Sequence, residues 1–172
     1  LFGRVWQFGG FVEDVAEPGD FVTVQAGVHP LFVVRSPAGE LKAFHNICRH
    51  RGTQLLRTIG KSRKTIVCHY NHWPYSQVGD LKSIPSLKTE FTDVDMSTLC
   101  LHKAAVATWL GMIFVHPDPN VLPLSHWFYG VAEKIGPHRP EELVEYTSGR
   151  TRHEINANWK IVVENYIDGY HL

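Results

Sequence analysis

Two short segments of the chain each place a cysteine and a histidine within a few residues of one another. The first is Cys48-Arg49-His50, and the second begins at Cys68 and reaches His72. Thiolate and imidazole are strong ligands for transition metals. We therefore predict that the two segments form facing loops around a metal centre, and this prediction limits the folds that the chain can adopt.

Two kinds of metal centre use this donor set. One thiolate and one imidazole from each loop can hold two irons bridged by sulfide, with the sulfurs on one iron and the nitrogens on the other. The same four donors can hold one structural zinc ion. Zinc sites usually contain cysteines two to four residues apart, whereas the first segment here is Cys-x-His. The spacing favours a [2Fe–2S] cluster, with a zinc site and no metal site at all as the two alternatives.

Residues 1–118 are predicted to form short strands. The runs are rich in Val, Phe and Leu and are bounded by turn signals such as Glu17-Pro18-Gly19-Asp20. Strands this short and evenly spaced predict a small antiparallel β-sandwich or barrel. The predicted strands cover residues 21–25, 31–35, 41–44, 64–67, 104–109 and 112–115, with a turn at 78–80.

The segment His116-Pro117-Asp118-Pro119 predicts a domain boundary, because its two prolines disfavour both a helix and a central strand. We expect one domain over residues 1–118 and part of a second over residues 119–172. In the second we predict a short helix over 124–136, a strand over 143–151 and an amphipathic helix over 158–171 with Asn158 as its N-cap.

The composition of the chain limits the kinds of partner and the cellular location that we expect. Lys plus Arg and Asp plus Glu balance at 17 each, so we expect neither a nucleic acid nor a membrane surface as partner. No apolar stretch approaches the ~18 residues that a membrane span needs, and the first residues lack the pattern of a signal peptide, so we expect neither feature in this sequence. Three cysteines cannot form a disulfide framework, and we expect a cytoplasmic location. The chain begins at Leu1 and ends at Leu172, and we expect it to be a fragment.

The chain resembles the large (α) subunits of Rieske non-haem iron oxygenases, the aromatic-ring-hydroxylating family and its amine-demethylating relatives. Residues 43–52, 67–75 and 158–171 carry the resemblance most strongly. It implies a mainly β Rieske domain, followed by the start of an α+β helix-grip catalytic domain. It also implies two cofactors, a [2Fe–2S] cluster and a mononuclear Fe(II).

The resemblance implies that Cys48, His50 and Cys68 hold the cluster, and the fourth ligand departs from the family pattern. The family usually reads Cys-Pro-Tyr-His-x-Trp, and this chain reads Cys68-His69-Tyr70-Asn71-His72-Trp73. Asn71 thus stands at the ligand position, and an amide is a poor ligand for a cluster iron. We expect a shifted loop in which His72 binds. The alternatives are a weak or absent cluster, a sequence error at these positions, and ligation by His69.

Near the end of the chain, Glu164, Asp168 and His171 would share one face of a helix by the i, i+4, i+7 rule. Such a row can simply be a solvated surface. The resemblance implies instead that His171 is the first ligand of a two-histidine, one-carboxylate iron site. It implies that Asp168 is the bridging acid between this site and a cluster histidine of a neighbouring subunit.

The function implied by the resemblance is that of an oxygenase component. Electrons would come from an NAD(P)H-dependent reductase or a ferredoxin and pass through the cluster to the mononuclear iron. The reaction would be dioxygen-dependent hydroxylation of an aromatic compound or oxidative demethylation of an amine, on a small-molecule substrate. The resemblance also implies a homotrimer or an α3β3 assembly. The alternative is a Rieske-type ferredoxin, against which Asp168-x-x-His171 argues.

Overall fold

The computed structural model describes residues 1–61, 64–85, 93–135, 138, 139, 142, 146, 151 and 153–169. The elements of the described chain are β1 (Gln7–Phe11), β2 (Asp20–Ala26), β3 (His29–Arg35), β4 (Leu41–His45), β5 (Gly60–Lys61), β6 (Thr65–Val67), β7 (Pro74–Ser76), β8 (Lys103–Trp109), β9 (Met112–His116), α1 (Leu124–Trp127), α2 (Val131–Ile135) and α3 (Trp159–Ile167). Short 3₁₀ turns occupy Val12–Val15 and Met96–Leu99.

The strands form one large antiparallel sheet and one hairpin. The sheet has the order β1-β9-β8-β4-β3-β2-β5, and β6 pairs with β7 apart from it. The sheet curls so that β1 approaches β2. A Cβ at Gly9 of β1 would lie only 3.2 Å from Cγ2 of Val24 in β2, so this close approach favours glycine. The predicted antiparallel β domain is confirmed, and its form is a half-barrel.

Strand β3 separates two hydrophobic cores, which explains its continuous apolar run. Successive side chains of a strand point to opposite faces. Leu31 and Val33 face the barrel core, whereas Phe32 and Val34 face a second core beside the Cys/His loops. The barrel core comprises Val15, Val22, Ala26, Leu31, Val33, Ala43, Ala104, Ile113 and Val115. The second, which we call the loop core, comprises Phe21, Phe32, Val34, Phe44, Cys48, Leu55, Ile66, Cys68, Trp73, Tyr75, Leu81, Ile84 and Leu101.

All six predicted strands are present, with ends that differ by one or two residues. The predicted turn at 78–80 is also present, and there the Ser76 N–H donates to the Asp80 carbonyl at 2.8 Å. Strands β1, β5 and β7 were not predicted. Two of them have only two or three residues, too few to show an alternating pattern.

The helices after residue 118 differ from the prediction. The single helix predicted over 124–136 is two helices, α1 and α2, and Gly130 between them has a φ of +75°, which interrupts a right-handed helix. The strand predicted over 143–151 falls mostly outside the described residues. The domain boundary at 118/119 stays a prediction.

Helix α3 begins as predicted and ends early. The Asn158 side chain caps it by accepting from the Lys160 N–H at 3.1 Å. The predicted extension to residue 171 is wrong, because Asp168 has extended backbone angles and ends the helix. Asp and the following Gly169 both have low helix propensity. Asp168 therefore does not share a helical face with Glu164, and His171 lies outside the described residues. Within the described part of the chain no helix has the length and apolar character of a membrane span.

Candidate metal centre

The first Cys/His loop follows β4 and is closed by its own backbone. The Cys48 N–H donates to the Thr53 carbonyl at 2.8 Å, and the Gly52 N–H donates to the Cys48 carbonyl at 3.0 Å. Gly52 has a φ of +70°, a left-handed conformation that suits glycine. This turn keeps Cys48 and His50 together on one tight loop.

Asn46 ties this loop to the chain that follows it. Its side chain is fully buried. The amide nitrogen donates to the Leu56 carbonyl at 2.6 Å, and the amide oxygen accepts from the N–H groups of Leu55 and Leu56 at 3.2 and 2.9 Å. Sequence reasoning assigned no role to Asn46, although it lies only two residues before Cys48.

The second loop connects β6 to β7 and has a matching closure. The Cys68 N–H donates to the Trp73 carbonyl at 2.9 Å, and the His72 N–H donates to the Cys68 carbonyl at 2.9 Å. His72 has a φ of +57°, so its backbone is left-handed and its side chain is exposed. Position 72 is thus the turning point of this loop, as Gly52 is of the first.

The two cysteines meet in the loop core. Cys48 is 2% exposed and Cys68 is fully buried, and neither forms a disulfide. Burial raises the pKa of the Cys48 thiol, and the adjacent Cys68 thiol raises it further, against lowering contributions from Tyr75 and the His50 backbone. Metal ligation requires the thiolate, so binding of a metal at this pair releases protons.

The Tyr75 side chain contacts the Cys48 sulfur inside the loop core. Its hydroxyl lies 3.4 Å from Cys48 Sγ and accepts from the Arg49 N–H at 3.1 Å. The oxygen accepts from Arg49 and keeps its own hydrogen, which it can donate to the sulfur when Cys48 is a thiolate. The pKa of Tyr75 is raised, chiefly by burial and also by Cys48. This contact was not predicted, because sequence offers no signal that links a tyrosine to a cysteine 27 residues away.

The histidine side of the site contains His50 and Asn71. Nδ1 of the exposed His50 lies 2.8 Å from Oδ1 of Asn71, and its ring stacks on buried Trp73 with centroids 4.9 Å apart. In the structure Asn71, rather than His72, lies against His50. The assignment of His72 as the fourth ligand stays a prediction. A cleft of about 400 Å³ opens beside this pair, and the described residues that line it are His50, Asn71, Trp73, Ile84, Pro85, Val94 and Leu99.

Of the four groups at this site, three are suitable ligands for a two-iron cluster. The donors are grouped in pairs, Cys48 with Cys68 and His50 with Asn71. In the described chain, no three His, Cys, Asp or Glu side chains converge on a position for one metal ion. A tetrahedral zinc ion needs four donors around one point, so the pairing favours two irons. Asn71 does not fit, since an amide is a weak ligand for iron in such a cluster.

Comparison with known proteins agrees with this donor pattern. The family model for the Rieske [2Fe–2S] domain matches residues 5–109. The chain belongs to the Rieske domain family. A second model, for the catalytic domain of ring-hydroxylating alpha subunits, matches residues 141–172. The resemblance to the large subunits of Rieske oxygenases is thereby confirmed.

Relatives of this Rieske chain include oxygenase subunits and solved oxygenase structures. It is 33% identical to the chlorobenzene dioxygenase alpha subunit of a Cupriavidus species, over 99% of the chain and 39% of that protein. It superposes on the quaternary ammonium Rieske monooxygenase CntA with a TM-score of 0.89 at 27% identity, over 99% of this chain and 50% of that one. For naphthalene 1,2-dioxygenase the TM-score is 0.82 at 30% identity, over 99% and 39%. The chain thus spans half or less of these relatives.

The hydrogen bonds of Tyr75 predict two effects of the Tyr75→Phe variant. Loss of the hydroxyl leaves the Arg49 N–H unpaired and lowers the free energy of unfolding by about 1–3 kcal/mol, measured by urea denaturation of the metal-free chain. A hydrogen bond to a ligand sulfur favours the more negative, reduced state of a cluster, so its loss lowers the reduction potential. Tyr70→Phe is the control, because Tyr70 is 56% exposed. Equal stability and potential in the two variants would argue against the contact.

Proposed function

We propose that this chain is part of an oxygenase component that receives electrons from a reductase or ferredoxin and delivers them to a mononuclear non-haem iron. The reaction would be dioxygen-dependent hydroxylation of an aromatic compound or oxidative demethylation of an amine. The observation that carries the proposal is the pairing of two buried thiols beside His50, in a chain whose end matches the catalytic domain of ring-hydroxylating subunits.

The first loop and the second loop would hold the cluster through Cys48, Cys68 and His50. His72 is the fourth ligand that the sequence predicts, and it would bind after a shift of the second loop that moves Asn71 away from His50. When bound, such a cluster supplies one-electron transfer. Burial of the thiols in the loop core keeps water from the sulfur side. His50 is exposed, so its ring edge is accessible to a docking protein. Trp73 covers one face of the ring and holds its orientation.

The catalytic part of the proposal rests on Asp168 and His171. His171 would be one ligand of a two-histidine, one-carboxylate iron, which activates dioxygen when present. Asp168 follows α3 immediately, and its backbone N–H donates to the Glu164 carbonyl at 3.1 Å. This bond anchors the residue at the helix end, from which its carboxylate would position a histidine of each centre across a subunit interface. A homotrimer or an α3β3 assembly would provide that interface.

Asp168→Asn tests this role in the complete subunit. We expect product formation from an aromatic or quaternary amine substrate to fall by about 10–100-fold, the usual cost of losing a group that orients metal ligands. The cluster spectrum and its reduction by the partner reductase should not change. Glu164→Gln, in the last turn of the helix that Asp168 ends, is the matched control.

The same experiment separates the oxygenase from a Rieske ferredoxin. A ferredoxin would pass electrons to an acceptor without forming an oxygenated product, and Asp168→Asn would then have no effect. The match of residues 141–172 to a catalytic domain favours the oxygenase.

A further inference from the structure

The chain leaves strand β9 through residues 117–122, which we call the exit segment. Two histidine side chains fasten this segment to the sheet. Nε2 of His45, at the end of β4, donates to the Pro117 carbonyl at 3.0 Å. Nδ1 of His116, at the end of β9, accepts from the Asp118 N–H at 3.0 Å. Because β4 leads directly into the first loop, these bonds connect that loop to the part of the chain that follows the sheet.

His116 accepts the Asp118 bond only while its Nδ1 carries no proton. The residue is 5% exposed, and the Trp6 ring lies beside it with centroids 5.9 Å apart. Nε2 then carries the hydrogen, and it is buried with no hydrogen-bond partner among the described residues. Protonation of Nδ1 would leave the Asp118 N–H without its acceptor and would place a charge on a buried ring, which is costly. A charged His116 therefore suits an open exit segment, in which water reaches the ring.

His45 is the middle member of a row of three histidines on neighbouring strands. Its ring meets those of His29 in β3 and His102 next to β8 edge-on, with centroids 5.8 and 6.3 Å apart. Partial burial lowers the pKa of His102, and the Arg49 guanidinium and the His45 ring lower it further. Positive charges on neighbouring rings repel one another, so the closed row disfavours protonation.

The charged groups along the elements that pack against these four histidines are positive, with one exception. They are the Leu1 amine, Arg4, Lys42, Arg49, Lys103 and Asp118. Asp118 is the exception, and its carboxylate accepts from the Asn120 N–H at 2.8 Å. Within the described chain, none of the four histidines forms an ion pair with a carboxylate. A proton bound by the closed arrangement therefore lacks the partner that would stabilise it.

We propose that the exit segment is an acid-sensitive latch, closed on the sheet at neutral pH and released as the pH falls through about 6. Release separates His45 from the segment and exposes His116 to water, so the open state binds more protons than the closed one. The closed state is therefore favoured above the ordinary pKa of histidine, about 6.5, and loses this advantage as the pH falls below it. The inference goes beyond the proposed function and requires no metal.

Hydrogen exchange in the complete subunit, from about pH 7.5 to about pH 5.5, tests the latch. The Asp118 amide reports on the exit segment, and the Phe32 amide reports on the sheet through its central strand β3. After correction for the pH dependence of the chemical exchange rate, the opening constant at Asp118 should rise by about tenfold per pH unit for each proton taken up. The Phe32 amide should keep its protection.

Two substitutions preserve the hydrogen bonds but cannot become charged. His116→Asn supplies an amide oxygen in place of Nδ1, and His45→Gln supplies an amide nitrogen in place of Nε2. The protein with both changes should keep the Asp118 amide protected over the whole pH range. His126→Gln is the matched control, because His126 is an exposed histidine near the exit segment, and it should leave the pH response unchanged.

A second measurement needs no variant. The ring-proton resonances of His116 should titrate with the same midpoint as the opening at Asp118. The proposal is overturned if His116 stays neutral while Asp118 opens, or if Phe32 loses protection in parallel. Constant protection of Asp118 in the unchanged protein, or an equal loss in the doubly substituted one, would also overturn it.

Discussion

Replacement of Cys68 by serine should remove the proposed [2Fe–2S] centre. Cys68 is fully buried beside Cys48, and serine has nearly the same size, so the fold should persist. The hard hydroxyl oxygen replaces a soft thiolate, the ligand type that would hold one iron of the proposed cluster. We expect the visible absorption and the paramagnetic signal of the reduced cluster to disappear, with circular dichroism unchanged.

Cys100→Ser is the matched control for this variant. Cys100 is only partly buried and lies outside both loops, with its sulfur 3.9 Å from an Asp80 carboxylate oxygen. Its replacement should leave the iron content per chain unchanged. A Cys68→Ser protein with the same iron content as Cys100→Ser would rule out the proposed thiolate pair. A chain that binds zinc instead would show neither spectroscopic signal before substitution.

Gly79→Ala should strongly destabilise the folded state of the domain that carries the site. Gly79 has a φ of +92°, and a Cβ there would lie 2.4 Å from Cε1 and 2.9 Å from Cζ of Phe44. Phe44 is 2% exposed in the loop core, so its ring has little room to move. Backbone strain and overpacking each cost about 1–3 kcal/mol. We expect the free energy of unfolding to fall by about 2–6 kcal/mol in urea denaturation.

Gly39→Ala measures the backbone part of this effect alone, and its difference from Gly79→Ala gives the packing part. Gly39 has a φ of +83°, similar to that of Gly79, but a Cβ there would meet nothing within 4 Å. Its variant should lose only the backbone contribution, about 1–3 kcal/mol. A loss as large in Gly39→Ala as in Gly79→Ala would show that the contact with Phe44 is not important for stability.

The longer strands were predictable because their residues carry the pattern locally. Strands β2, β3, β4, β8 and β9 combine apolar runs with glycine or proline turns, and turn chemistry limits where such runs can end. Strand β7 begins with Pro74, a residue that disfavours strands except at their first position or an edge. Its pairing with β6 depends on the second loop, so no local pattern could reveal it.

The ends of the helices, in contrast, were not predictable from the local pattern. Apolar spacing predicted one helix where Gly130 separates α1 from α2, and it extended α3 past Asp168. Periodicity reports which residues can share a face, but it contains no information on where the backbone leaves the helix. The ends depended on single residues, such as Gly130 with its positive φ.

The sequence by itself determined the donor types, the two-loop organisation and the family, because Cys48, His50 and Cys68 lie in short segments whose spacing limits their reach. The tertiary structure alone decided which donors face one another. The left-handed turn at His72 brings Asn71 against His50, and the packing of β7 brings the Tyr75 hydroxyl to the Cys48 sulfur. These contacts join residues 21 and 27 positions apart. Such distances are bridged only when the two loops fold onto one core, so local sequence patterns could not specify them.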